Sequence, residues 1–348
     1  MIELGISTFG ETTPLEATQQ APSHQERIQQ LVKEIELADQ VGLDVYAIGE
    51  HHRADFAVSA PEIILAAGAV NTKNIRLSSA VTILSSSDPV RVYQQYATID
   101  ALANGRAEIM AGRGSFIESF PLFGYQLTDY DELFNEKLAM LLKINDATQL
   151  NWQGNFTQSV ENRPVYPRAT QEKLPIWVAT GGSPDSTLRI ASLGLPIVYA
   201  IIGGNPYHFK PLIDYYYRVA KHYQHDLSQM KVGAHSWGWI APDQETAIES
   251  YFHPTKTLTD QLASERPHWQ PMSKAQYLQA VGPEGAMLVG NPEHVANKMI
   301  QLIKQLKLQR FMLHLPVGSM PHEQTLQAIQ LYGEEVAPRV KHYFSKQP

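Results

Sequence analysis

Short apolar runs alternate with longer amphipathic stretches along the whole chain, the pattern of repeated βα units around a parallel sheet. The spacing predicts strands at Ile2–Phe9, Val45–Ile48, Ile75–Ile83, Ala107–Ala111, Ile176–Ala179, Ile197–Ile202, Val232–Ile240 and Phe311–Leu315. Between the first two, Ile28, Leu31, Val32, Ile35 and Ala38 recur at helical spacing, opened by Ser23 with Glu26 three residues on and stopped at Gly42. Ser59 with Glu62 predicts a second capping box. Asp88-Pro89, Ser183-Pro184, Asn205-Pro206 and Asn291-Pro292 each join a cap residue to a proline suited to the first helical position. After the fifth strand, Leu188, Ile190, Ala191 and Leu193 predict an apolar helix face ending at Gly194.

Eight strands, each followed by a helix, in 348 residues predict an α/β fold, a (β/α)8 TIM barrel, in preference to an open doubly wound sheet. Two stretches exceed what the repeat needs. Gln149–Lys173, with Trp152, Gly154, Asn155, Pro164 and Pro167, is an insertion before the fifth strand, and Thr255–Gly290 is a longer one before the eighth. No Ser/Gly-rich or like-charged linker and no internal repeat interrupts the pattern, so residues 1–348 read as a single domain.

Composition narrows the chemistry. A 43% hydrophobic content supports a large core, and a formal charge of −7 without a basic stripe argues against nucleic acid or an anionic membrane as partner. The absence of cysteine removes disulfides, thiolate nucleophiles and Cys-ligated zinc. Met1-Ile2-Glu3-Leu4-Gly5-Ile6-Ser7 lacks a basic region followed by an apolar one, and no window reaches bilayer length, so a cytoplasmic location is expected.

In such barrels the active site lies at the C-terminal ends of the strands. The richest stretch there is Ala179-Thr180-Gly181-Gly182-Ser183-Pro184-Asp185-Ser186, where a strand runs through two glycines into a helix start. Glycines admit a ligand close to the backbone, and the unpaired first helical N–H groups, with the helix dipole, favour an anion such as phosphate. Ser183 and Ser186 add hydroxyls; the same residues also serve a bare turn and cap. The fourth strand ends in Gly112-Arg113-Gly114, whose lone guanidinium suits a phosphate or an ion pair with Glu118 or another acid. Because the fourth and fifth strands are neighbours in the barrel, Arg113 is expected beside the glycine turn.

The second strand leads into Gly49-Glu50-His51-His52-Arg53, where one histidine should face the barrel centre and transfer a proton, with Glu50 fixing its tautomer. The adjacent histidines lack a familiar metal-ligand spacing, and no metal is expected. The third strand, Leu77-Ser78-Ser79-Ala80-Val81-Thr82-Ile83, carries small side chains that suit either tight packing or a flat ligand. Phe116, Trp237, Trp239 and Trp269 are candidate pocket walls.

Glu50-His51-His52, the Asp88-Pro89-Val90-Arg91 helix start, Asn104-Gly105-Arg106 before Gly112-Arg113-Gly114, and Gly181-Gly182-Ser183 together resemble the bacterial-luciferase-like family of flavin-dependent monooxygenases. The resemblance spans most of the chain. It implies a (β/α)8 barrel that uses FMN, often reduced by a separate reductase, or in another branch a deazaflavin. It implies that Arg113, Gly181, Gly182, Ser183 and Ser186 hold the FMN phosphate, and that the flavin ring stacks on the Ala80-Val81 peptide, a non-proline cis bond in luciferases. By the same resemblance His51 assists the chemistry, with Glu50 and His52 as its neighbours. Of these and the aromatic wall candidates, His52, Phe116 and Trp269 are expected as substrate contacts. Gly112 and Ile201 stand where luciferase has a reactive cysteine and an active-site tryptophan, a departure that bears on light emission and long-chain aldehyde specificity.

The function expected is therefore an FMN-dependent monooxygenase, in which reduced flavin and O2 form a C4a-peroxide that oxidises a small organic substrate. A deazaflavin- or flavin-dependent dehydrogenase or reductase on the same fold, and a non-catalytic flavin-binding protein, are the alternatives. A homodimer is the expected assembly.

Overall fold

All eight predicted strands form, and they close on themselves. The computed structural model describes residues 2–14, 21–114, 116–266, 269–318 and 320–346; Met1 and Ser115 lie outside them. In chain order the strands are β1 Glu3–Thr8, β2 Val45–Ile48, β3 Arg76–Ser79, β4 Thr82–Ile83, β5 Ala107–Gly112, β6 Gln149–Trp152, β7 Val160–Pro164, β8 Ile176–Thr180, β9 Ile197–Ala200, β10 Val232–Ile240, β11 Leu288–Gly290 and β12 Arg310–His314. The helices are α1 His24–Gln40, α2 Pro61–Asn71, α3 Pro89–Leu102, α4 Ser119–Leu122, α5 Tyr130–Asp146, α6 Pro184–Ser192, α7 Lys210–His222, α8 Gln244–Glu265, α9 Lys274–Val281, α10 Pro292–Leu306, α11 His322–Leu331 and α12 Ala337–Ser345.

Parallel pairing runs β12-β1-β2-β3-β5-β8-β9-β10, and β10 pairs back to β12, giving a closed eight-stranded barrel with helices between strands. The third predicted strand is split into β3 and β4 at Ala80-Val81, where the peptide bond is cis. Both insertions are present. Residues 149–164 make the antiparallel β6–β7 hairpin, and the later one carries α9 and β11, which adds in parallel to β10 beyond the barrel.

Alternation along each strand stacks the barrel interior in layers. At the N-terminal end the buried Arg310 ion-pairs with Glu108 and with Glu3 (2.7 Å), its guanidinium 4.1 Å from the centre of the Trp177 ring. Above it Val45, Met110, Trp177, Val198 and Met312 fill the middle. Two residues on from Met312 stands His314, level with Ser7 on β1, while His235 on β10 is level with Met312 itself, so polar side chains gather from the middle of the barrel toward its C-terminal end.

The helix starts mostly follow the sequence. Ser23 and Glu26 form the capping box, and Asp88, Ser183, Asn205 and Asn291 each cap through the side chain before a proline. Ser59 does not. Pro61 sets the first helical position, Ala60 precedes it without a side-chain cap, and Glu62 accepts from Gln95 Nε2 at 2.8 Å instead. On α6 the buried face is Thr187, Ile190 and Ala191, whereas Leu188 and Leu193 are exposed, because the helix turns those two away from the sheet. Among the described residues no helix is long and apolar enough to cross a membrane.

Candidate active site

A cavity of about 310 Å³ opens at the C-terminal end of the barrel. Its first rim is the junction of β5 and β8, paired through Ala111 and Val178. Beyond β8, Gly182 has φ +101°, and a Cβ there would come within 2.7 Å of the Phe209 ring, so only glycine makes this turn. Ser183 Oγ accepts from the Ser186 N–H at 3.2 Å and donates to Ser186 Oγ at 2.8 Å. Arg113 Nη2 donates to Ser186 Oγ at 3.1 Å, so the guanidinium and the helix start meet as expected. The acid that Arg113 pairs with is Asp131 (2.5 Å), half exposed, which also lies 3.7 Å from Arg189; Glu118 is taken by Arg53 instead. A half-exposed carboxylate between two guanidiniums marks a place for an anion.

The cavity floor is small and apolar. Ala80, Val81 and Gly112 line it, and a Cβ on Gly112 would stand 2.5 Å from Val81 Cγ2, which leaves no room for a cysteine with Val81 as placed. Ala200 and Ile202 line the wall, while Ile201 between them is buried elsewhere.

His51 reaches the cavity but Glu50 does not support it. Glu50 Oε1 lies 2.8 Å from His52 Nε2, and Glu50 Oε2 accepts from the Ile83 N–H at 2.9 Å. In extended chain, residues two apart share a side and adjacent ones do not, so Glu50 faces His52 and ties the segment that follows the cis peptide. His52 packs against Phe123 rather than lining the cavity. The His51 ring sits among Phe9, Phe56 and Phe116 with Nδ1 buried and unpartnered. Burial, then the neighbouring His314, lower its pKa to about 3, so the ring is neutral at ordinary pH. Phe116, Trp237 and Trp269 line the cavity; Trp239 lies outside, stacked on Tyr251 at 6°. Guanidinium groups of Arg53 and Arg266 lie 4.7 and 4.5 Å from the centre of the Phe116 ring. Arg53 also holds Glu118 (2.8 Å) and, with two nitrogens, Glu265 at the end of α8 (2.6 and 2.8 Å).

Residues 2–309 match the family described as luciferase-like monooxygenase. The chain belongs to that family. Among curated relatives it is 29% identical over 176 residues to the N-acetyl-S-alkylcysteine monooxygenase of Bacillus subtilis, covering 50% of this chain and 51% of that one. It is 30% identical over 161 residues to the protein y4wF of Sinorhizobium fredii, 46% of each, so the chain spans about half the length of these relatives. Three solved structures share its fold across nearly the whole chain. The monooxygenase RslO1 of Streptomyces bottropensis has a TM-score of 0.83 at 20% identity, covering 98% of this chain and 100% of that one. The oxygenating constituent of 3,6-diketocamphane monooxygenase from Pseudomonas putida, in complex with FMN, gives 0.74 at 18%, covering 98% and 99%. A coenzyme F420-dependent tetrahydromethanopterin reductase from Methanopyrus kandleri gives 0.72 at 18%, covering 97% and 99%.

The luciferase-like site also holds polar residues that the sequence reading passed over. His314 Nε2 lies 2.8 Å from Glu11 Oε1, and Ser7 Oγ lies 2.9 Å from His235 Nε2 and 3.4 Å from His314 Nδ1. Glu11, His235 and His314 line the cavity. The available signal was a histidine interrupting an apolar run at the inward phase of two predicted strands. The residues present fit a flavin. One rim offers hydroxyls and guanidiniums to a phosphate, the floor is free of bulky side chains, and the walls are aromatic.

Proposed function

We propose that this chain is an FMN-dependent monooxygenase that takes up reduced flavin from a separate reductase and uses O2 to oxidise a small, largely apolar organic substrate. The observation that carries this reading is the meeting of Arg113 with Ser186 at 3.1 Å on the rim of an aromatic-walled cavity. Arg113, Gly181, Gly182, Ser183 and Ser186 hold the phosphate, and Ala80 and Val81 carry the ring. Bound and reduced, the flavin supplies the electrons that activate O2.

The protein's own part is orientation, exclusion of water and the movement of one proton. His51, neutral and with a free buried Nδ1, holds or accepts that proton, and Glu50 keeps the floor in place through Ile83. Phe116 and Trp269 contact the substrate, and His52 acts only through Glu50. Residues 1–348 work as one barrel unit, paired as a homodimer through exposed apolar side chains such as Ile63 and Val70 of α2 and Leu102 of α3.

The test is anaerobic titration with reduced FMN and with the reduced deazaflavin, followed by admission of oxygen and a screen of thioethers, ketones, aldehydes and aromatic compounds. Tight FMN binding with substrate-stimulated oxygen uptake is expected. Hydride transfer from the deazaflavin without oxygen use would establish the reductase alternative, binding without turnover the non-catalytic one, and refusal of both cofactors would refute the assignment.

A further inference from the structure

On the side of the cavity away from Arg113, four buried or half-buried polar residues on or just after three strands form one chain. Glu11 and His314 are buried, and their contact at 2.8 Å, with Thr8 Oγ1 donating to the other carboxylate oxygen at 3.5 Å, helps to offset the cost of enclosing the carboxylate. Ser7 stands between the two imidazoles, 3.4 Å from His314 Nδ1 and 2.9 Å from His235 Nε2. His235 is only half-buried because one edge of its ring meets the cavity.

Donor counting restricts this chain. A serine hydroxyl has one proton to give, so it can donate to one ring and must accept from the other. If it donates to His314 Nδ1, then His235 carries its proton on Nε2 and presents an unprotonated Nδ1. If it donates to His235 Nε2, then His314 carries protons on both nitrogens beside the Glu11 carboxylate, and His235 carries its proton on Nδ1. The two arrangements differ by one proton and no electrons.

We propose that Glu11, His314, Ser7 and His235 form a proton relay that exchanges one proton with the bound substrate at His235 Nδ1. In the uptake direction an N–H bond forms at His235 Nδ1 as the substrate gives up its proton. The His235 Nε2–H bond breaks as its proton passes to Ser7 Oγ, and the serine proton passes to His314 Nδ1. The positive charge comes to rest on His314 against Glu11. Delivery is the reverse. His235 is the group that meets the substrate; Ser7, His314 and Glu11 are positioning residues. Ser7 does not border the cavity, so the carboxylate–histidine–serine order does not present a nucleophile to it. The substrate end of this relay rests on the proposed function, whereas its wiring belongs to the free protein.

Nitrogen-15 histidine spectra of the flavin-free protein test the wiring, with signals assigned by loss in His235→Gln and His314→Gln. Both rings are expected as Nε2–H tautomers near neutral pH. Ser7→Ala should release His235 into a tautomer mixture and leave His314 fixed by Glu11. In turnover, Ser7→Ala and His235→Gln should each lower kcat by about tenfold or more, with FMN affinity unchanged because Arg113 is on the opposite rim. A wild-type His235 found as the Nδ1–H tautomer, or a folded Ser7→Ala protein with unaltered tautomers or unaltered kcat, overturns the relay. Wild-type protein that shows the expected tautomers but binds no flavin instead overturns the proposed function alone.

Discussion

Replacing Arg113 by alanine removes a side chain that reaches both the glycine-turn helix and the acid opposite it. In the free protein its guanidinium gives one hydrogen bond to Ser186 at 3.1 Å and one to Asp131 at 2.5 Å. A bound phosphate would take over both. A hydrogen bond to a charged group contributes about 1.5 to 3 kcal/mol, and here the gain is a difference, since Asp131 must be released. That release costs little, because Asp131 is half exposed and returns to water. Arg113 itself is 28% exposed, so solvent screens part of the attraction. The net loss should be roughly 2 to 3 kcal/mol, which raises the Kd for FMN by roughly 30- to 150-fold. Riboflavin has the same ring without the phosphate, and its Kd should move by less than about threefold. Quenching of flavin fluorescence on titration measures both. An equal loss for the two flavins would mean that Arg113 supports the barrel rim and not the phosphate, and an unchanged FMN affinity would remove it from the site.

His51→Ala should leave FMN binding within about threefold and cut steady-state turnover by about 10²-fold; equal turnover would exclude His51 from the chemistry. Gly112→Cys drives a Cβ to 2.5 Å from Val81 Cγ2, so it should lower stability by about 1 to 3 kcal/mol in thermal unfolding, with recovery when Val81→Ala is added. Burial, with His314 next, lowers the pKa of both His51 and His235 to about 3, while in the unfolded chain each takes a proton below about pH 6.5. The unfolded state therefore binds more protons across that window, and stability falls as pH drops through it. Between pH 6 and pH 5 the two histidines together should cost roughly 2 kcal/mol, a slope that urea denaturation should find much reduced in the His51→Gln/His235→Gln double variant.

The barrel was legible because its signal is repetitive: eight apolar runs of strand length, separated by capped helices, leave few other folds. Asp88, Ser183, Asn205 and Asn291 were readable for the same reason, each standing directly before a proline. Ser59 misled because Pro61 fixes where α2 begins, one residue later than a serine cap requires. The site was legible where one local device suffices, as at Arg113 and Gly182. It was not where partners come from different strands. Sequence adjacency suggested that Glu50 serves His51, yet strand alternation gives Glu50 to His52 and leaves His51 to the aromatic rings. The pairing of Ser7, His235 and His314 depends on registers between β1, β10 and β12, which no single stretch of sequence encodes.

Arg310, Glu108, Glu3 and Trp177 stopper the barrel at the end away from the cavity. A vessel sealed below has a single mouth, and everything that goes in must come back the way it came. Depth then dictates sequence. With the flavin on the Ala80-Val81 floor, as proposed, the cofactor should arrive before the substrate above it and depart afterwards, an order that product-inhibition kinetics would reveal.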